Sequence, residues 1–88
     1  MKTIFKYVLD PDHLTVSMPI CAQVLAAQVQ KDQICLWAEV DDSADKELVE
    51  FEAFGTGHNI PENPVRHYID TVQMHGGNLV FHIYQVGK

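Results

Sequence analysis

Serine is nearly missing from this chain. Ser17 and Ser43 are the only two, and neither stands in the strand–turn–helix setting of a nucleophile elbow. Cysteine is as scarce. Cys21 and Cys35 form no Cys-x-x-Cys pair, and no histidine or basic residue stands near either in sequence to mark it as a nucleophile. Positive charge is short as well, six Lys and Arg against twelve Asp and Glu, a net charge of -6. With no basic cluster to release counterions, nonspecific binding to a phosphate backbone is excluded. Long apolar runs are absent too; none approaches the roughly 20 residues of a membrane-spanning helix. The opening Met1–Leu9 meets Asp10-Pro11-Asp12 at once, too short a stretch for a signal peptide, so the expectation is a soluble intracellular protein with no membrane contact.

Metal motifs are missing despite five histidines, at 13, 58, 67, 75 and 82. None falls in a His-x-His or HExxH pattern. His75 and His82 share a hairpin but stand about six residues of rise apart along its strands, too far to hold one ion. No metal or other cofactor is expected, and no catalytic residue can be picked out. Twelve carboxylates offer no distinguishable acid–base pair.

What is present is alternation. Eighty-eight residues make one domain, residues 1–88, and a chain this short buries only roughly 60–65% of its unfolded surface. Residues 3–9 and 14–18 read as strands around the turn chemistry of Asp10-Pro11-Asp12. Residues 24–30 and 33–40 form a hairpin about Lys31-Asp32. Its register sets Val29 opposite Ile34, Ala27 opposite Leu36 and Leu25 opposite Ala38, all on one face. In that register Cys35 faces Gln28 and Cys21 lies outside the ladder, so the two thiols stay unbridged. Residues 48–54 alternate again, Val49, Phe51 and Ala53 inward, Glu50 and Glu52 towards water. A last hairpin turns at Gly76-Gly77, with Met74 opposite Leu79, Val72 opposite Phe81 and His82 opposite Thr71. Residues 65–69 are ambiguous. Six to seven short strands built from hairpins, with no helix-length period, predict an all-β fold: a small antiparallel sandwich or open barrel.

Two places invite a functional reading. Gly55-Thr56-Gly57-His58 follows a strand, and its glycines allow backbone N–H groups to converge as an anion nest. The absent Lys-Ser or Lys-Thr after it excludes a P-loop. The other reading is a sharp strand exit on which His58 packs. Residues 41–52 hold six acids against Lys46 alone, either a solvated surface or a face for a basic partner. Trp37, Tyr84 and His82 would add an aromatic patch if they share a face. Candidate protein-binding residues are therefore Trp37, Asp41, Asp42, Glu50 and Glu52; candidate ligand-binding residues are Gly55, Thr56, Gly57 and His58.

FGTGHNIP, then TVQMHGGNLVFHIYQ, with KTIFKYVL and ICLWAEVD, resembles a family of small uncharacterised proteins encoded by tailed bacteriophages and prophages. The resemblance spans essentially the whole chain, and its two motifs are Phe54–Pro61 and His75–Phe81. The family pattern has glycines where this chain has Cys21 and Lys31. It carries no catalytic residue across. It implies an accessory protein in the host bacterial cytoplasm that binds and blocks a host component, as inhibitors of antiphage defence such as anti-CRISPR proteins do. Sequestration of an anionic nucleotide through the GTGH loop and a minor virion or assembly role are the alternatives. The small core and uncovered edges favour a homo-oligomer.

Overall fold

Turn chemistry divides the chain into seven strands: β1 Lys2–Leu9, β2 Thr15–Pro19, β3 Gln23–Gln30, β4 Gln33–Asp41, β5 Lys46–Gly55, β6 Arg66–Met74 and β7 Leu79–Val86. The computed structural model describes residues 1–87. All ladders are antiparallel and form two sheets, β1-β4-β3 and β2-β5-β7-β6. The fold is an open two-sheet sandwich, not a closed barrel. β3 and β6 lie along one seam, while β1 and β2 barely meet at the opposite side.

Local residues account for the connections. Asp10 accepts the N–H of Asp12 on its side chain and that of His13 on its carbonyl, an Asx turn of the kind expected of Asp-Pro-Asp. Lys31 and Asp32 both take positive φ, 51° and 63°, as a two-residue primed hairpin turn requires. Cys21 is likewise left-handed at φ 65°, so both positions where the resemblance expects glycine adopt the backbone that glycine favours. Gly76 and Gly77 take φ of 66° and 92°, and Asn78 N–H closes the turn on His75 O.

The core is the alternating inward set of both sheets. Leu9, Ile34, Leu36, Ala38, Val40 and Ala27 from one layer meet Met18, Phe51, Val72 and Ile83 from the other. The predicted pairs Val29–Ile34, Ala27–Leu36, Val72–Phe81 and Met74–Leu79 are all present. One pair is not. A bulge at Leu25 shifts the first hairpin so that Val24, not Leu25, opposes Ala38, and Leu25 is 47% exposed. The ambiguous stretch 65–69 belongs to β6 from Arg66 onward, carried through a second bulge at Ile69. Residues 42–45 form a turn without a helix.

A specific hydrogen bond fastens the seam between the sheets. Asp70, just past the Ile69 bulge, accepts the N–H of Ala27 on β3 at 3.2 Å and that of Thr71 at 2.9 Å. A carboxylate thus satisfies a backbone donor on the edge of the opposite sheet. The two edges meet without a ladder, so the sandwich stays open.

Candidate functional site

The outer face of the four-stranded sheet gathers a set of polar and aromatic side chains from β5, β6 and β7. The ladders set it out in two rows, because residues directly opposite share a face. Phe54, His82 and Thr71 form one row, and Glu52, Tyr84 and Tyr68 the other. The Ile69 bulge makes this possible. It lets Tyr68 and Thr71, three apart in sequence, both project outward while Asp70 turns to the seam.

Hydrogen bonds and ring contacts fix the face. His82 Nε2 lies 2.8 Å from Thr56 Oγ1 and its Nδ1 3.0 Å from Thr71 Oγ1; Thr71 Oγ1 lies 2.6 Å from Tyr68 Oη. Both ring nitrogens of His82 lie within hydrogen-bond distance of a threonine hydroxyl, which fixes the orientation of the ring. Tyr84 makes edge-on contacts with Phe54 at 5.7 Å and Tyr68 at 5.6 Å between ring centroids. Arg66 stands 5.4 Å over the Phe54 ring, with Nε on Glu52 and Nη1 on the carbonyl of Pro61. Its side chain is 8% exposed and its Nη2 is buried without a partner. Glu52, expected to face water freely, is thus the counter-ion of a buried guanidinium.

The two motif stretches meet at the next rung. Gly55 pairs with Phe81, and a shallow groove runs between Gly55, Thr56 and His58 on one bank and Asn78–Phe81 on the other. The GTGH glycines have structural work here. His58 N–H closes a turn on Gly55 O, with Gly57 at φ 85° in the third position. The His58 ring lies over Gly55, where a Cβ would come within 2.7 Å of it. The Thr56 hydroxyl pairs with His82 Nε2. Of the four candidate ligand-binding residues, Gly55, Thr56 and His58 line the groove; Gly57 forms the turn.

The candidate protein-binding residues do not form one surface. Trp37 is on β4 in the other sheet, half-buried and apart from Tyr84 and His82, so the three make no common patch. Asp41 and Asp42 lie 3.2 and 3.3 Å from the amino group of Met1, and Glu39 lies near Lys2. Glu50 is exposed. Beside it stands a residue that composition did not single out, Leu48, 75% exposed. Along β5, the pairing with β7 covers Phe51–Gly55, so Lys46–Glu50 has β2 on one flank and a groove on the other, lined in part by Glu47, Leu48, Glu50, Gln85 and Val86. Period-2 alternation already places Leu48 on the same face as Glu50, and that was the available signal.

The Asp41 carboxyl is held well below its ordinary value, down to about 2. The Ser43 hydroxyl is the leading cause, then the Ser43 N–H and the Met1 ammonium. A carboxyl lowered in the folded state adds stability above its ordinary value of 3.8, lost as pH falls from there through about 2. Ser43→Ala is expected to move the Asp41 midpoint up towards 3.8 in a carboxyl-carbon NMR titration. A midpoint left near 2 would assign the effect elsewhere.

Among the described residues no group of three His, Cys, Asp or Glu is placed to hold a metal ion, and both cysteines are free, Cys21 exposed and Cys35 buried. The fold and this face define a small two-sheet all-β domain with an aromatic, hydrogen-bonded sheet surface and an acidic overhang at one end. The chain belongs to the family described as Domain of unknown function (DUF7352), whose model matches residues 1–88. Searches of curated proteins and of solved structures found no match.

Proposed function

We propose that this domain is a non-enzymatic binding protein that blocks a bacterial host protein, a component of antiphage defence, through the outer face of its four-stranded sheet. The observation that carries this reading is the overhang of β5. An exposed leucine stands between Glu47 and Glu50 beside a groove that β7 leaves unfilled, next to a rigid aromatic row. An apolar anchor with an acidic rim fits a partner segment that is extended and basic. The resemblance to phage accessory proteins supports a host target.

The test is capture from host lysate by the intact domain, compared with Leu48→Lys and Glu50→Lys. Both side chains are exposed, so the variants should keep the native circular dichroism spectrum and melting temperature. A genuine target is expected to lose roughly ten-fold or more in affinity for each, the scale of an interface anchor. A host protein held equally by all three would remove this face from consideration. A small anionic mass retained in native mass spectrometry would instead assign ligand sequestration to the groove between Gly55 and Phe81.

A further inference from the structure

We infer that the free edge of β1 pairs antiparallel with β1 of a second copy of this chain, with Phe5 on the twofold axis. The three-stranded sheet then becomes a continuous six-stranded one. This surface is separate from the proposed docking face, and the inference stands without that reading.

The two sheets end in four edge strands, β1, β3, β2 and β6. β2 is five residues long and ends on Pro19. β3 is bulged at Leu25 and gives its Ala27 N–H to Asp70; β6 is bulged at Ile69 and lies along β3. Bulges, prolines and cover are the usual devices that keep an edge from pairing. β1 has none of them. It runs eight residues in unbroken register against β4, with Ile4, Phe5 and Val8 exposed by 56, 40 and 47%. Its two lysines do not guard the edge either. Lys6 reaches over β4 to Gln30 on β3 at 2.8 Å, and Lys2 lies 3.7 Å from Glu39 on β4. Both ammonium groups are drawn inward across the sheet, away from the free backbone.

Self-complementarity selects a second copy as the occupant. In a twofold antiparallel pair, opposed side chains share a face, so the axis must fall on a residue. An axis on Lys6 would oppose that lysine to itself, and one on Ile4 would oppose Lys2 to Lys6 of the second copy. An axis on Phe5 pairs residues 2 to 8 with no like charges opposed. Phe5 then meets its own copy, Thr3 meets Tyr7, Ile4 meets Lys6 and Lys2 meets Val8. The Phe5–Tyr7 edge contact, 6.4 Å between centroids, would extend into an aromatic row across the junction. A single strand pair lies at the small end of stable interfaces, so the dimer should dissociate in a roughly micromolar range.

Sedimentation velocity on the full chain from about 1 to 200 µM tests this. A monomer–dimer equilibrium is expected across that range. Val8→Lys, which sets two lysines opposite each other, should weaken it at least ten-fold, and Phe5→Lys should abolish it. Val8→Glu should keep it, because the new carboxylate meets Lys2. Val8 is half exposed, so its variants should fold even if Phe5→Lys does not. A protein monomeric at about 200 µM, or a dimer indifferent to the sign of charge at position 8, overturns the proposal.

Discussion

Arg66→Ala is expected to lower the unfolding free energy by about 3–5 kcal/mol, a large part of the stability of a domain this size. Arg66 is the only arginine in the sequence, and its side chain is buried against Phe54 between two strands. Truncation removes the partner of Glu52, which is itself only 24% exposed, and leaves a desolvated carboxylate unpaired. It also removes the donor that holds the carbonyl of Pro61 and so frees the connection between β5 and β6. Urea denaturation measures the loss, and amide exchange should show faster opening across residues 58–65. Arg66→Lys should recover less than half, because an ammonium lacks the planar fork that reaches both acceptors. Replacing the pair together, Arg66→Met with Glu52→Leu, should cost less than the sum of the single losses. The orphaned Nη2 is a standing penalty that the apolar pair removes. A loss below about 1 kcal/mol for Arg66→Ala would show that the ion pair is solvated and carries little.

Asp70→Ala should cost about 2–3 kcal/mol by a different route. The Asp70 carboxylate is the acceptor for the buried N–H of Ala27, on the edge of the other sheet. Alanine there leaves that donor dry and unpaired, and the β3–β6 seam loses a cross-sheet hydrogen bond. On a chain this short the change corresponds to a fall in melting temperature of roughly 10–20 °C. Asp70→Asn retains an acceptor oxygen of the same reach and should lose clearly less, which separates the hydrogen bond from the charge. Equal losses for Ala and Asn would place the effect in the charge. No loss for either would mean that water satisfies Ala27 as well as Asp70 does.

Both effects centre on contacts between residues far apart in the chain, which no local sequence pattern encodes. Strands, hairpin turns and several registers were legible because their causes are local. A period of two places Val72 and Phe81, or Ala27 and Leu36, on a common face, and Lys31-Asp32 or Gly76-Gly77 sets the ladder between them. The candidate face was legible only in fragments. Leu48 and Glu50 share a side by alternation, and Thr71 was correctly set against His82.

The bulges at Leu25 and Ile69 escaped because neither carries a glycine or other local mark. They lie on β3 and β6, the two strands that meet at the seam between the sheets. The division of strands between sheets escaped for the same reason. Trp37 and Tyr84 have similar neighbours in sequence terms, yet β4 and β7 lie in opposite layers, so no joint patch exists. By itself, then, the order of residues determined an all-β chain of short strands, the turns joining them and the apolar set that becomes its core. The tertiary structure alone decided that Arg66 would bury itself on Glu52, that Thr56 and Thr71 would hold His82 from either side, and that β1 would stand at the edge of its sheet in unbroken register. Alternation and turn propensity act over two to four residues, whereas layer pairing is decided by how two finished sheets bury their inner faces together.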